Sequence, residues 1–184
     1  ARRLAESGCR VVVPLLINRA EKMSKLSNRE YLYRSSFEMG RHLIGYEVQQ
    51  SLAVVDWYSR RSPDMPIGII GWGEGGLIAL YAAAVDTRVD VACVSGYFDS
   101  RQNIWQEPID RNVFGLLEQF GDAELASLIA PRPPRKWSTD GAGIVILGTA
   151  FAMLFRNRKS SSIGWPSKPI LPGTVIVSAL VCTP

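Results

Sequence analysis

Three short apolar runs dominate the hydrophobic pattern of this 184-residue chain. They lie at residues 9–17, 66–70 and 89–98, and each is rich in valine or isoleucine. A continuous apolar run of this length between polar segments is typical of a strand buried on both faces of a sheet. The sequence therefore predicts three strands, and the buried pattern favours parallel pairing.

Helical periodicity occupies the intervals between these runs. Apolar residues repeat at helical spacing through residues 33–55 and predict one long helix, from Ser27 or Asn28 to about Arg60. A second helix, rich in alanine, is predicted over 77–85, and shorter helical stretches over 111–120 and 123–129. Strands that alternate with helices predict an α/β fold, a three-layer, doubly wound and mainly parallel sheet.

The composition changes near residue 133. Six of the eleven prolines and a single acid, Asp140, lie beyond residue 131. We therefore divide the chain into a core domain, residues 1–133, and a divergent apolar and basic tail, residues 134–184.

The tail has three interpretations. Residues 141–155 form an apolar run followed by basic residues, as beside a membrane span, but 15 residues fall short of the roughly 20 that a span needs, so membrane insertion is not favoured. The tail could instead supply a divergent strand and helix that complete the sheet. The third interpretation, a sequence foreign to the domain, is favoured by the loss of acids and the gain of prolines.

The net charge of +4 is an average of unlike segments. Residues 67–131 hold nine acidic and three basic residues, whereas the flanking segments are basic. No basic stripe is interleaved with aromatic residues, which argues against nucleic acid as a partner. Lys22, Lys25 and Arg29 are interpreted as a solvated face.

Three cysteines, Cys9, Cys93 and Cys182, have neither metal-ligand spacing nor the pattern of a disulfide framework. Cys9 and Cys93 lie in or beside apolar runs and are interpreted as buried small residues in a reducing compartment. No signal peptide opens the chain, so a cytoplasmic location is favoured.

One glycine-rich turn carries the candidate chemistry. The stretch Gly71-Trp72-Gly73-Glu74-Gly75-Gly76 follows a predicted strand and begins a predicted helix. A strand, a tight turn and a helix form the frame of the nucleophile elbow G-x-S-x-G, in which the backbone N–H after the nucleophile helps to stabilise the oxyanion. Gly73 stands in the nucleophile position and has no side chain, and Glu74 is the candidate backbone oxyanion donor.

The same turn also matches the dinucleotide-binding pattern G-x-G-x-x-G. Gly71, Gly73 and Gly76 occupy its three glycines, and Asp99 follows the next strand, where an acid would bind the ribose. Glycine-rich turns also occur for packing reasons alone, so this alternative rests on a weak motif.

Residues beyond the turn favour the nucleophile-elbow interpretation over the dinucleotide-binding one. The segment Leu4-Ala5-Glu6-Ser7-Gly8-Cys9-Arg10-Val11-Val12-Val13-Pro14, the turn itself and Ala130-Pro131-Arg132-Pro133 together resemble the dienelactone hydrolase and acetylxylan esterase branch of the α/β-hydrolase superfamily. The resemblance covers residues 1–133. It implies a partial α/β-hydrolase fold, an ancestry among carboxylic-ester hydrolases and no cofactor.

The chain departs from this family at the residues that perform the reaction. The family carries Ser or Cys at the position of Gly73, and its histidine follows the nucleophile and the acid. The only histidine of this chain is His42, which precedes the turn and falls in the predicted long helix. Asp140 is the only carboxylate in the place of the family's acid, so the chain is expected to lack a complete triad.

Three functions remain open at the level of sequence. The first is an ester hydrolase by ancestry whose activity is lost or displaced. The second is a non-catalytic module that binds a small ester or carbonyl compound, and the third is a dinucleotide-binding domain. An acidic loop with Asp99, Glu107 and Asp110, beside Trp105, is interpreted chiefly as a solvated loop with one packed tryptophan.

Overall fold

The structure, a computed structural model, combines helices with a small parallel sheet. It describes residues 1–6, 8–17, 22–23, 25–98, 101–129, 144–147 and 174–178. The α/β class predicted from the sequence agrees with this mixture of helices and parallel strands.

Five helices and seven strands are present in the described residues. In chain order they are α1 (Arg2–Glu6), β1 (Arg10–Val12), β2 (Lys22–Met23), β3 (Leu26–Ser27), α2 (Asn28–Glu38), α3 (Leu43–Arg61), β4 (Ile67–Trp72), α4 (Glu74–Val85), β5 (Val91–Ser95), α5 (Asp122–Ile129), β6 (Ile144–Leu147) and β7 (Thr174–Ser178). Short 3₁₀ turns lie between β5 and α5, at Arg101–Gln106, Ile109–Arg111 and Leu116–Glu118.

Strand β4 lies at the centre of a five-stranded parallel sheet with the order β1-β7-β4-β5-β6. Ile69 of β4 is in register with Ala92 of β5 on one side and with Ile176 of β7 on the other. β6 pairs with β5 at the edge. Residues 144–147 and 174–178, which the sequence places in the tail, thus pair with the strands of the core domain.

The main core lies between the sheet and helices α3 and α4. Ile69 of β4, Val94 of β5, Val55 of α3 and Leu80 of α4 are completely buried in one cluster. Successive residues of a strand face opposite sides of the sheet, and Ile70 accordingly packs on the other side, in a small cluster with residues of α1 and β1. The glycine turn at the end of β4 is therefore held by a packed strand and a packed helix.

The prediction of one long helix is wrong, because α2 ends at Glu38 and α3 begins at Leu43. Gly40 between them has a positive φ of 70°, and its N–H donates to the carbonyl oxygen of Phe37 at 2.9 Å, an ending typical of a helix C-terminus. The step of seven residues from Phe37 to Ile44 kept the apolar periodicity in phase and concealed the break. The predicted start is confirmed, since the hydroxyl of Ser27 accepts the N–H of Glu30.

The predicted helix over 111–120 is also wrong. Gly115 adopts φ +77° and separates two short 3₁₀ turns, whereas α5 begins at Asp122 close to its predicted position. No helix in the described part of the chain has the length and apolar character that crossing a membrane requires.

Candidate functional site

A single residue, Gly73, turns the chain from β4 into α4. Its φ is +56° and its ψ is −121°, a combination that residues with a side chain rarely adopt. Its N–H donates to the carbonyl oxygen of Ser95 at 2.8 Å, and its own carbonyl accepts the N–H of Leu77 at 3.1 Å. Gly73 is thus fixed both to the end of β5 and to the first turn of α4, in a sharp strand-to-helix corner.

The glycines of this corner differ in what surrounds them. A Cβ at Gly71 would lie 1.8 Å from the carbonyl oxygen of Gly75, so β4 and the start of α4 are in direct backbone contact. A Cβ at Gly76 would lie 3.0 Å from the carbonyl oxygen of Ser95. At Gly73 a Cβ would meet no atom within 4 Å. Close contacts require glycine at positions 71 and 76, whereas Gly73 itself faces open space.

The neighbouring Trp72 is 55% exposed at the carboxyl end of β4. Its indole lies along the end of β5, since a Cβ at Gly96 would approach the ring to 3.4 Å. An exposed aromatic surface therefore adjoins the open position at Gly73.

Glu74, the first residue of α4, places its carboxylate in a buried ionic cluster. The residue is only 5% exposed. Its Oε1 accepts from Arg29 at 2.5 Å, and its Oε2 accepts from Nε of Arg111 at 3.0 Å. Both carboxylate oxygens are bound to guanidinium groups, so this side chain is not a free general base. Its backbone N–H lies in the first turn of α4, directly after Gly73, where an oxyanion donor is expected.

Arg29 is the centre of this cluster. It binds Glu47 of α3 at 2.6 and 3.2 Å and Asp110 at 2.7 Å, in addition to Glu74. The side chain is 7% exposed, so the interpretation of Arg29 as part of a solvated face is wrong. Burial alone would lower the pKa of this guanidinium, but hydrogen bonds and charges from Glu47, Glu74 and Asp110 raise it above its ordinary value.

Arg111 extends the cluster towards the surface. It binds Glu107 at 3.1 Å as well as Glu74, and its side chain is 33% exposed. Burial lowers its pKa, and the bonds to Glu107 and Glu74 raise it by more. Two members, Glu107 and Asp110, were recognised in the sequence as an acidic loop, but their basic partners were not. The available signal was Glu47, an acid between the apolar positions Ile44 and Val48, since a carboxylate that is buried needs a cation as its partner.

His42 makes its contacts with Phe114, Tyr33 and Phe37. It is the N-cap residue of α3, not part of a continuous helix as predicted, and its Nε2 accepts the backbone N–H of Phe114 at 3.3 Å. The ring packs against Tyr33 and Phe37. In the described part of the chain no hydrogen bond joins His42 to Gly73 or Glu74, and its Nε2 is bound to Phe114 instead.

The remaining candidates separate into two groups. Asp99 and Asp140 lie outside the described residues. Trp105 is 75% exposed, which makes the expected packed tryptophan wrong. Among the described residues no group of His, Cys, Asp and Glu could hold a metal ion.

Comparison with known proteins gives one informative match. The chain is 34% identical over 111 residues to a Bacillus subtilis (strain 168) protein named "Putative hydrolase YtaP". The match covers 55% of this chain and 37% of that protein, so the chain spans well under half the length of this relative. No protein-family model matches, and no solved structure gives a significant match. The similarity supports a hydrolase-like ancestry.

Proposed function

We propose that this chain is an α/β-hydrolase-like protein descended from carboxylic-ester hydrolases of the dienelactone hydrolase and acetylxylan esterase branch. The observation that carries the proposal is the corner at Gly73: a parallel strand, one residue at φ +56°, and a packed helix. A nucleophile elbow uses the same strained strand-to-helix turn to expose its nucleophile above the sheet. The similarity to a protein named as a hydrolase supports the same ancestry.

In this proposal the corner keeps the backbone conformation of a nucleophile elbow but lacks the nucleophile and the base. Acyl transfer through an elbow requires a hydroxyl or thiol that attacks the ester carbonyl, with a base within hydrogen-bond reach. Gly73 has no side chain and therefore provides neither a hydroxyl nor a thiol. Glu74 has both oxygens on guanidinium groups, and His42 is engaged with Phe114. The chain therefore does not hydrolyse esters by nucleophilic catalysis at this corner.

A second candidate function is binding without turnover. The open space at Gly73 and the exposed indole of Trp72 favour it, because a small ester or carbonyl compound could approach the backbone where a side chain would otherwise stand. The first turn of α4 would offer its N–H groups to the carbonyl oxygen.

The dinucleotide alternative is less well supported. A bound pyrophosphate would lie at the start of α4, where Glu74 already contributes a buried carboxylate to a cluster that holds, among the described residues, four acids and two arginines. A phosphate beside Glu74 would meet a carboxylate of like charge.

The test is hydrolysis of p-nitrophenyl acetate by the purified chain and by its Gly73→Ser and Gly73→Ala variants. We expect all three proteins to match the buffer rate. A fluorophosphonate probe, followed by mass spectrometry, should label none of them, because the hydroxyl that Gly73→Ser restores has no base within hydrogen-bond reach. Gly73→Ala is the matched control, since it adds the Cβ without the hydroxyl.

Turnover by the unmodified chain, well above buffer, would contradict the loss of catalysis. Labelling of Gly73→Ser but not of Gly73→Ala would contradict the absence of a base at this corner. Quenching of Trp72 fluorescence by a non-hydrolysable ketone, compared with a Trp72→Phe variant, would support binding without turnover.

A further inference from the structure

A cavity of about 700 Å³ lies apart from the elbow, between α3, α4 and α5. Neither Gly73 nor Glu74 is among the described residues that line it. Its walls are mainly apolar and include Ile44, Val48, Leu116 and Leu125. Cavities of this size with apolar walls and few polar groups are typical sites for small molecules.

The lining of the cavity includes a cation. Arg41 lines the cavity, is exposed, and forms no ion pair with the described residues. Most other arginines with described side chains contact a carboxylate, as Arg34 does with Glu30 at 2.7 Å. A free guanidinium beside an apolar volume complements a molecule with an apolar body and an anionic end.

Gly45 keeps one wall of the cavity open. It lies in the first turn of α3 and lines the cavity, and a Cβ built on it would meet no atom within 4 Å. Glycine is unfavourable inside a helix, and here no positive φ or close contact requires it. The clear structural effect of glycine at position 45 is the free space that it leaves beside the cavity.

We propose that this cavity binds small carboxylic acids with an apolar chain. The chain occupies the space between α3 and α4, beside Gly45, and the carboxylate is bound by Arg41. The site is independent of the elbow and needs neither a nucleophile nor an ester. The proposal therefore stands or falls separately from the hydrolase ancestry.

The test is calorimetric titration of the full chain with octanoate and with 1-octanol, at concentrations where neither forms aggregates. We expect saturable binding of both ligands, with octanoate the tighter of the two. Arg41→Gln should weaken octanoate about two- to fivefold, as expected for one exposed ion pair, and leave 1-octanol unchanged. Arg34→Gln is the matched control and should change neither affinity.

Gly45→Phe should abolish binding of both ligands because the ring fills the cavity. Gly45→Ala, which adds only a methyl group, should retain it. Both variants replace a helical glycine and are expected to fold, which circular dichroism would verify.

Three results would overturn the proposal. Absence of saturable binding, or undiminished binding by a folded Gly45→Phe variant, would remove the site. Equal effects of Arg41→Gln on octanoate and 1-octanol would remove the carboxylate from the assignment.

Discussion

At the scale of single residues, three glycines serve different purposes, two of them in the corner and one in α3. Gly71 is required by a backbone contact, Gly73 by its own dihedral angles, and Gly45 by neither. The same substitution by alanine should therefore have three different effects on stability.

We expect Gly71→Ala to lower the free energy of unfolding by about 3 kcal/mol, because its Cβ would lie 1.8 Å from the carbonyl oxygen of Gly75 and force β4 from α4. Gly73→Ala should cost about 1–2 kcal/mol for a side chain at positive φ in open space. Gly45→Ala should stabilise the chain by about 0.5–1 kcal/mol. Urea denaturation of the three variants measures these differences, and equal effects at 71 and 73 would contradict the close contact.

At the scale of elements, one guanidinium joins helices that are distant in sequence. Arg29 of α2 binds carboxylates from α3, α4 and the turn at Ile109–Arg111. The start of α4, which follows the elbow position, is thereby fixed to two helices and a loop. Arg34, on the surface of the same helix, pairs with Glu30 within that helix.

Replacing Arg29 with methionine should lower the free energy of unfolding by about 3–5 kcal/mol, because the buried carboxylates of Glu47 and Glu74 would lose a common cation. Arg34→Met is the matched control, since its partner Glu30 is an exposed neighbour on the same helix, and should cost about 0.3–0.5 kcal/mol. Thermal and urea denaturation distinguish the two effects. A loss at Arg29 no greater than that at Arg34 would show that the cluster adds little to stability.

At the scale of the whole molecule, burial of ionisable groups makes stability depend on pH. Burial raises the pKa of the Cys93 thiol above its ordinary value of 9.0. Burial also raises the pKa of Tyr81 above 10.0, with the charge of Arg101 acting in the opposite direction and that of Asp122 in the same direction. In both cases the folded chain retains a proton that the unfolded chain releases.

The free energy of unfolding should therefore be insensitive to these two groups below about pH 8.5 and fall as the pH rises past about 9, because unfolding then releases protons. Cys93→Ala should remove the first part of this fall and leave the part due to Tyr81 above about pH 10. Urea midpoints measured from about pH 8 to 10.5 test the difference. An identical pH dependence in both proteins would show that Cys93 does not contribute.

Local signals in the sequence sufficed for the α/β class, the strand at 67–70, the alanine-rich helix that follows it and the glycine corner. Each of these depends on residues close together in the chain: an apolar run, a period of 3.6 residues, or a glycine between two such segments. Gly40, in contrast, broke a helix whose apolar period continued on both sides, and the pattern could not reveal it.

Contacts between distant segments were decided only by the tertiary structure. Arg29 reads as a surface cation in the sequence, and it is buried because Glu47, Glu74 and Asp110 converge on it from three other elements. The bond between His42 and Phe114, and the pairing of residues 174–178 between β1 and β4, have the same origin. A sequence specifies its local conformations through short-range sterics and periodicity, whereas the partners of a charge depend on how whole elements pack.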